Sequence, residues 1–543
     1  MKDPDSQDYL VGIVGCGAMG QGIAQVSVQG GLRAKLFDAR DGGAAAAKDA
    51  IAARINRLVE KGRLSEDGAK AAIDLLVPVD RLDGLSDADA VVEAVFEDLD
   101  VKHALFKDLE AVIRPDCILA SNTSSIPISS IARVCEHRDR VAGLHFFNPV
   151  PLMKLVEVIR AAQTSDDTVQ ALMALGKRMT RVPVEVKDSP GFLVNMGGRA
   201  YSTEALRIVH EGIATPAQVD AIMRDCWGFR MGPFELMDLT GIDVNYPVSQ
   251  IIYDGYNQDP RLKTSANHKA MFDAGLFGRK TGQGWYRYED GKIIDPPDPN
   301  FTSSVDPVTE VAIVPNSAAI ELMESSFDDE DQDLSFLDPD DDIDLDDLKA
   351  QIERLEAICA ELDLQIVPDN GNCPILAAPI GIEASTISAD SQMMTMIKAV
   401  DPKRLVCVDL SGNISKRLTL MTAPGADPKH CASVAAAISK KGRNATVIAD
   451  SAGFVGQRMI AMVSNLGCYM AEIGLASPED IDTAMQLGLN YPQGSIALAE
   501  SVGPKDILGV LLGLQESTCD DRYRPTQWLR RRAQLGLSLY TPN

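Results

Sequence analysis

A glycine turn between a short apolar run and a helical stretch constrains the fold of this chain more than any other feature. The run Leu10–Val14 leads into residues 15–20 (GCGAMG), and an amphipathic stretch and a second apolar run, which ends at Asp38, follow. This order predicts a strand, a tight turn, a helix and a second strand. Gly15 would permit the turn, Gly17 would let a pyrophosphate approach the backbone, and Gly20 would let the helix pack against the sheet.

The acid that follows the second predicted strand indicates which dinucleotide binds. Asp38 comes directly after the apolar run of this strand, where a carboxylate accepts hydrogen bonds from the ribose hydroxyls of NAD. A 2′-phosphate would meet a like charge there, so the sequence predicts NAD rather than NADP. A packing turn without a ligand is the alternative interpretation, because glycine triplets also occur in ordinary loops. The strand, the helix and the acid in register favour the dinucleotide site.

The charge of the chain excludes several kinds of partner. The 543 residues carry a formal net charge of −26, and nucleic acid and anionic membranes both require basic surface, so neither is expected to bind. The segment 328–347 holds 12 acidic residues and no Lys or Arg, and therefore nearly half of this charge.

The cysteines and histidines lack the spacing of metal ligands, so no metal is expected. The first residues contain no apolar signal segment, which predicts a cytoplasmic protein.

The sequence pattern changes along the chain in a way that predicts several domains. Strands and helices alternate to about residue 187, long helical segments follow, and a stretch rich in Pro, Asp, Ser and Asn comes next. We predict an α/β Rossmann-type dinucleotide-binding domain (1–187), an all-α domain (188–288), an acidic linker (289–342), a degenerate partial sheet domain (343–448) and a second all-α domain (449–543).

An internal duplication underlies the second all-α domain. At one constant offset along the chain, the run 188–192 (DSPGF) corresponds to 450–454 (DSAGF), and Asp220 corresponds to Asp482. Residues 416–448 also match 154–186 in pattern. The sequence therefore predicts that a truncated piece of the sheet domain precedes a second helical domain.

The second copy has lost residues that the first copy keeps. It has no glycine triplet of the 15-17-20 type, Thr419 corresponds to Glu157, and Gln457 corresponds to Asn195. We expect this copy to bind no nucleotide and to do no chemistry. Its predicted role is structural, covering an apolar face of the first helical domain.

Three polar patches in the first half follow predicted strands, where an open parallel sheet places its ligand crevice. They lie at 121–125 (SNTSS), 143–149 (GLHFFNP) and 154–158 (KLVEV). An Asn-Pro turn returns the chain from His145 to Glu157, which brings the imidazole and the carboxylate together. A carboxylate bound to one ring nitrogen fixes the tautomer and stabilises the imidazolium. The pair is predicted to be the general base for a substrate hydroxyl, whose carbon gives a hydride to the nicotinamide.

These motifs resemble the 3-hydroxyacyl-CoA dehydrogenase family over residues 9–288. The resemblance lies in residues 15–20, 120–125 (ASNTSS), 145–157 (HFFNPVPLMKLVE) and 188–195 (DSPGFLVN). It implies that His145 is the base, that Glu157 is its partner, and that Ser124 and Asn195 contact the substrate oxygens.

The resemblance extends to the cofactor and the substrate. Glu97 and Lys102 match an acid and a lysine that the family uses near the nicotinamide, and NAD-dependent oxidation of (S)-3-hydroxyacyl-CoA to 3-ketoacyl-CoA is implied. Residues 522–525 (RYRP) and 528–539 resemble bacterial members with two helical domains, some of which act on 3-hydroxyadipyl-CoA in phenylacetate breakdown. Since family members pair through helical domains, we expect a pseudo-dimeric monomer or a homodimer. A nucleotide-binding interaction protein with little catalysis is the alternative, and the intact site residues argue against it.

The site residues also have purely structural interpretations. His145 would then be a core histidine, and Glu157 a solvent-facing strand residue. Ser124 would be a turn residue and Asn195 a polar group at a helix end. Glu97 and Lys102 would interact only with a helix dipole. The long motif around residue 145 favours the catalytic interpretation.

Overall fold

Eight strands form one sheet in this computed structural model, which describes residues 1–294, 301, 304–314, 345–389 and 400–543. Across the sheet their order is β3-β2-β1-β4-β5-β6-β7-β8. All neighbours run parallel except β6 and β7, which are antiparallel. The predicted Rossmann-type sheet is thereby confirmed. The strands are β1 Leu10–Val14, β2 Arg33–Phe37, β3 Leu76–Pro78, β4 Ala90–Glu93, β5 Ile118–Ser121, β6 Val141–Phe146, β7 Leu155–Arg160 and β8 Val182–Lys187.

Helices connect the strands of this sheet. Strands β1, β4, β5 and β6 are buried along their whole length, as expected for parallel strands that are covered on both faces. Their runs of Val, Ile, Leu and Ala supply much of the core. The helices are α1 Ala18–Gln29, α2 Gly43–Glu60, α3 Glu66–Asp74, α4 Leu99–Val112, α5 Ile128–Ala132 and α6 Asp166–Arg178, with 3-10 turns at Leu82–Leu85 and Arg138–Arg140.

A run of helices follows, as the sequence predicts. Helix α9 illustrates why these segments start where they do: the Thr215 side chain accepts a hydrogen bond from the Gln218 amide, and Pro216 is the first helical residue. The elements are α7 Val194–Gly197, α8 Arg199–His210, α9 Pro216–Trp227, α10 Pro233–Thr240, α11 Ile242–Gly255 and α12 Ala266–Asp273, with 3-10 turns at Pro260–Leu262 and Arg279–Thr281 and a hairpin of β9 Tyr288–Glu289 and β10 Lys292–Ile293.

Six further strands form a second, smaller sheet. Its order is β12-β11-β13-β14-β15-β16, and only β14 and β15 are antiparallel. The pattern of β13 to β16 repeats that of β5 to β8. The strands are β11 Glu310–Ile313, β12 Gln365–Ile366, β13 Ile375–Ala377, β14 Leu405–Val408, β15 Arg417–Met421 and β16 Asn444–Ile448.

Strand β11 corrects the predicted linker at 289–342. Val311, Ala312 and Ile313 are buried, and β11 lies between β12 and β13. The apolar run is short and its partner strands come later in the chain, so local composition alone pointed to a linker. The acidic residues 328–344 lie outside the described residues.

The remaining helices follow the second sheet or connect its strands. Contacts divide the chain into two compact units, one of Met1–Gly198, Asp254–Asn257 and Gly467–Ile496, the other of Arg199–Tyr253, Gln258–Leu466 and Ala497–Asn543. Among the described residues, no helix has the length and apolar character to cross a membrane. The helices are α13 Leu345–Glu361, α14 Ala384–Ala389, α15 Pro428–Lys440, α16 Val455–Glu472, α17 Pro478–Leu489, α18 Ser495–Val502, α19 Pro504–Thr518 and α20 Gln527–Leu535, with a 3-10 turn at Asp521–Tyr523.

The duplication reappears as equivalent contacts. The Phe234 amide donates to Asp220 Oδ1 at 2.9 Å, and at the equivalent place in the second copy the Ile496 amide donates to Asp482 Oδ1 at 2.8 Å. Gly232 in the first copy and Gly494 in the second have no room for a Cβ. It would lie 2.2 Å from the Asp220 side chain and 2.1 Å from the Asp482 side chain, respectively. Helix α15 also begins and ends at the positions that correspond to the two ends of α6. The same sequence signals therefore build the same local structure twice.

A buried ion cluster joins elements of both helical copies within the second unit. Glu204 of α8 is 0% exposed; it accepts hydrogen bonds from Arg458 Nε at 2.9 Å and from Arg522 Nε at 3.0 Å. Tyr523 also donates to Glu204, at 3.2 Å. Burial by itself lowers the pKa of Arg458, but the charges of Glu204 and its neighbours raise it overall. The Arg458 guanidinium therefore stays ionised although it is buried.

Replacing Arg458 with Met should destabilise this unit strongly, because Glu204 loses a buried partner. We expect the free energy of unfolding to fall by about 3–5 kcal/mol, measured by urea denaturation. Arg531→Met, at an exposed arginine, is the matched control and should change it by less than about 0.5 kcal/mol. Equal stabilities for the two variants would contradict this description of the cluster.

Candidate active site

The turn after β1 has the geometry that the glycine motif predicts. Gly15 has a φ of +92°, and a Cβ on this residue would lie 2.6 Å from the Ala94 carbonyl oxygen. A Cβ on Gly20 would lie 1.8 Å from the Gly15 carbonyl oxygen, so only glycine lets α1 pack this closely. Beside Gly17, no heavy atom other than those of its chain neighbours lies within 4 Å of the place that a Cβ would take. This open space at the start of α1 fits the pyrophosphate of a dinucleotide.

Asp38 is held beside this turn. Its Oδ2 accepts a hydrogen bond from the Cys16 amide at 2.8 Å, and the Arg40 guanidinium donates to both carboxylate oxygens, at 2.8 and 3.1 Å. The hydrogen bond from Arg40 is the largest cause that lowers the pKa of Asp38, to about 2. The carboxylate is therefore ionised and lies beside the glycine turn.

Lys102 lies beside two glutamates at the end of β4. Its Nζ is 2.6 Å from Glu93 Oε1 and 3.3 Å from Glu97 Oε2, and its side chain is 1% exposed. Glu93 Oε2 accepts a further hydrogen bond from the Ser121 hydroxyl at 2.6 Å. Such partners offset the cost of burying an ammonium group. Lys102 thus connects the buried end of β4 to the more exposed Glu97.

Glu97 fixes the loop that contains Ser124. Its Oε1 accepts hydrogen bonds from the Thr123 hydroxyl at 2.6 Å, from the Ser124 amide at 3.0 Å and from the Ser125 hydroxyl at 2.9 Å. Burial alone would raise the pKa of Glu97, but the hydrogen bond from Thr123 and the charge of Lys102 lower it. Glu97 is therefore ionised and orders the loop, in which Ser124 is exposed.

A side-chain amide ties this loop to β6. Asn122 Oδ1 accepts a hydrogen bond from the Phe146 amide at 2.8 Å. Phe146 directly follows His145, and Asn122 stands two residues before Ser124. This hydrogen bond therefore links the serine loop to the strand of the histidine.

His145 and Glu157 meet as the sequence predicts. They are directly opposite in the antiparallel register of β6 and β7, which places both side chains on one face. His145 Nδ1 lies 2.6 Å from Glu157 Oε2. Because an ionised carboxylate only accepts, Nδ1 carries the proton and Nε2 is left as an acceptor. The rings of Phe147 and Phe192 lie 4.5 and 5.9 Å from the imidazole, centroid to centroid.

Glu157 also binds the backbone that leads into α7. Its Oε1 accepts hydrogen bonds from the Leu193 amide at 3.0 Å and from the Val194 amide at 2.8 Å. Asn195, the next residue, is half-buried on α7. One carboxylate therefore connects the imidazole on β6 to the short helix that contains Asn195.

Sequence reasoning missed several polar residues that shape this site. Arg40 binds Asp38, Glu93 binds Lys102, and Asn122 binds the backbone of β6. Asp188 accepts the amides of Ile128 and Ser129 at 2.9 and 2.8 Å. An acid inside an apolar run, such as Glu93 after Val91-Val92, and an Asn within a motif were signals available in the sequence.

The equivalent position in the second sheet has different chemistry. The Asp409 amide donates to the Thr419 carbonyl oxygen at 2.9 Å, so an aspartate stands opposite the threonine that corresponds to Glu157. The Thr419 hydroxyl is buried without a hydrogen-bond partner, and Gln457 Nε2 lies 3.4 Å from Asp409 Oδ1. Burial is the largest influence on the pKa of Asp409 and raises it to about 6. No imidazole–carboxylate pair forms between these strands.

Family models match most of the described chain. The model of the 3-hydroxyacyl-CoA dehydrogenase NAD binding domain matches residues 10–189, and that of the C-terminal domain matches residues 191–288 and 453–538. The chain belongs to the 3-hydroxyacyl-CoA dehydrogenase family. It is an NAD-dependent oxidoreductase that converts 3-hydroxyacyl-CoA to 3-ketoacyl-CoA. The model of the C-terminal domain matches it at two places.

Relatives of known name support this membership. The chain is 32% identical over 526 residues to a 3-hydroxyadipyl-CoA dehydrogenase of Escherichia coli (strain K12), covering 97% of both chains. It is 38% identical over 277 residues to a probable 3-hydroxybutyryl-CoA dehydrogenase of Deinococcus radiodurans, covering 51% of this dehydrogenase and 99% of the relative. The crystal structure of a 3-hydroxybutyryl-CoA dehydrogenase from Escherichia coli K12 is similar over 97% of this chain and 98% of that one, with 31% identity and a TM-score of 0.77.

Replacing Asp38 with Ser should shift the cofactor preference of this dehydrogenase. The change removes the charge that opposes a 2′-phosphate and releases the Arg40 guanidinium, which can then pair with that phosphate. We expect the ratio of kcat/KM with NADP to kcat/KM with NAD to rise by about tenfold or more, measured by steady-state kinetics. Asp41→Ser, at an exposed acid nearby, should leave the ratio unchanged. Loss of NAD activity without any gain with NADP would contradict this role of the pair.

Proposed function

We propose that His145 is the general base of the dehydrogenase and that Glu157 orients it. The observation that supports this most strongly is the hydrogen bond of 2.6 Å between His145 Nδ1 and Glu157 Oε2. It leaves Nε2 to accept the proton of the substrate 3-hydroxyl, and the carboxylate stabilises the imidazolium that forms. In the reverse direction the imidazolium returns this proton to the oxygen.

The groups that hold the substrate oxygens come from the segments that adjoin this pair. We propose that Ser124 and Asn195 contact the 3-oxygen and the thioester oxygen and so fix the reacting carbon. The order that Glu97 gives to the serine loop and the hydrogen bonds from Glu157 to the residues before Asn195 support this proposal.

The cofactor would be held by the glycine turn and Asp38. Gly15, Gly17 and Gly20 would let the pyrophosphate approach the backbone amides of the turn, and Asp38 would accept hydrogen bonds from the ribose hydroxyls. Bound NAD accepts the hydride from the carbon that bears the hydroxyl. Near the nicotinamide, we propose that Glu97 makes the direct contact and that the buried Lys102 holds Glu97 in place.

The second half has, we propose, no reaction of its own. Asp409 and Thr419 stand where the first half has its imidazole and carboxylate, which supports a structural role. We propose the arrangement of a Rossmann-type domain, a helical domain, a partial sheet domain and a second helical domain, in a pseudo-dimeric monomer or a homodimer. A cytoplasmic location is also proposed, because no disulfide joins the ten cysteines, all of which lie in the described residues, and reduced thiols are typical of reducing compartments.

The last part of the proposal concerns which acyl group the substrate carries. Two relatives that match nearly the full length are named for 3-hydroxyadipyl-CoA and 3-hydroxybutyryl-CoA, so we propose a short-chain or dicarboxylic 3-hydroxyacyl-CoA as substrate. Reduction of acetoacetyl-CoA, a long-chain 3-ketoacyl-CoA and 3-ketoadipyl-CoA, followed by NADH absorbance, compares the three classes directly. A long-chain substrate with the highest kcat/KM would contradict this choice.

His145→Ala should remove most turnover while NADH still binds. Loss of a positioned general base typically costs about 10²–10⁴-fold in rate, and the cofactor turn lies on other strands of the sheet. The measurement is the rate with acetoacetyl-CoA and NADH, together with NADH affinity from its fluorescence. His210→Ala, at an exposed histidine, serves as control and should have the normal rate. Near-normal turnover by His145→Ala would show that the base is another group.

A further inference from the structure

Helix α17 of the second helical copy packs against the segment that contains Asn195. Residues 467–496 belong to the same compact unit as the first sheet. A Cβ on Gly488 of α17 would lie 2.8 Å from Val194 Cγ2 and 3.0 Å from Leu155 Cδ2. At this point α17 meets α7 and β7 so closely that only a hydrogen atom fits.

The close approach is reciprocal. A Cβ on Gly197 of α7 would lie 2.4 Å from both Sδ and Cε of Met485, which is buried on α17. Met485 stands three residues before Gly488 and so lies on the same face of α17. A glycine on each helix therefore receives a side chain of the other, and the two helices cannot shift independently.

Val194 couples this packing to the Glu157 carboxylate. Its side chain contacts the Gly488 position, and its amide donates to Glu157 Oε1 at 2.8 Å. Leu155, the other neighbour of Gly488, stands on β7 two residues before Glu157. Displacing α17 would therefore move a hydrogen-bond donor of Glu157, and with it Asn195, which follows Val194.

The residues before α17 are fixed to the edge of the same sheet. The amide of Lys187, at the end of β8, donates to the Leu475 carbonyl oxygen at 2.8 Å. Ser477 then caps α17 by accepting the Asp480 amide. The helix is thus held at its start by the sheet and along its length by α7.

We propose that α17 is a positioning element for the dehydrogenase reaction, with Gly488 and Met485 as positioning residues. The proposal rests on the roles proposed above for Glu157 and Asn195. Among its described residues, the second copy has no hydrogen-bonded imidazole–carboxylate pair like that of His145 and Glu157, and it contributes by fixing the orientation of the pair in the first copy.

Gly488→Ala tests this directly, because the new methyl group must displace Val194. A displacement of about 1 Å at a catalytic group can cost up to about a hundredfold, and we expect kcat with acetoacetyl-CoA and NADH to fall by about tenfold. The affinity for NADH should stay within about twofold of the wild type, since the cofactor turn is not touched. Adding Val194→Ala removes the opposing methyl groups and should restore much of kcat.

Gly509→Ala is the matched control. Gly509 lies within α19 of the same helical copy, and apart from its chain neighbours and the backbone of α19 itself, no heavy atom lies within 4 Å of the place for its Cβ. This variant should keep the wild-type kcat. Wild-type protein without turnover would defeat the proposed function itself, whereas active wild-type protein with a normal kcat in Gly488→Ala would defeat only the role of α17.

Met485→Ala tests the positioning role of α17 if Gly488→Ala does not fold. It removes the side chain that fills the space beside Gly197 instead of adding a group, so a milder fall in kcat at unchanged NADH affinity supports the proposal. An unchanged kcat in Met485→Ala overturns it. Failure of Val194→Ala to restore kcat in a folded double variant also overturns it.

Discussion

The candidate active site depends on one buried carboxylate, that of Glu157, which binds three donors from two segments of the chain. Glu157 is 0% exposed and has hydrogen bonds from the His145 ring and from the amides of Leu193 and Val194. A carboxylate without water is stabilised only by such donors. The same hydrogen bonds join β6, β7 and the segment before α7, so the proposed base and Asn195 take their positions from one group.

The two halves diverge at this carboxylate and agree in the contacts that maintain the fold. Asp188 accepts the amides of residues 128 and 129, and its counterpart in the second half, Asp450, accepts those of Ala384 and Ser385. Where the first half has Glu157, the second has Thr419, whose hydroxyl is buried without a hydrogen-bond partner. The backbone contacts thus persist in the second copy, although Asp409 and Thr419 stand where the first copy has His145 and Glu157. Helix α17 of the second copy packs against α7, beside the proposed pair.

Local patterns revealed the glycine turn and the His145–Glu157 pair, because a tight turn and a strand register both follow from short-range spacing. Strand β11 was not predictable in the same way, since its neighbours β12 and β13 come from later in the chain. The pairing of Arg40 with Asp38 and of Lys102 with Glu93 depends on side-chain rotamers, which spacing does not specify. The approach of α17 to α7 depends on two glycines from opposite halves of the chain, and nothing in either local sequence indicates that they meet.

If the His145 imidazole and Glu157 act as one unit, as we propose, a double-mutant cycle reveals their coupling. Single-turnover rates with acetoacetyl-CoA and NADH would be measured for His145→Ala, Glu157→Ala and the double variant. Residues that act together lose their contribution when either is removed. We expect the double variant to be no slower than His145→Ala. Losses that multiply, so that the double variant is slower by the product of the two single effects, would show that the two residues act independently.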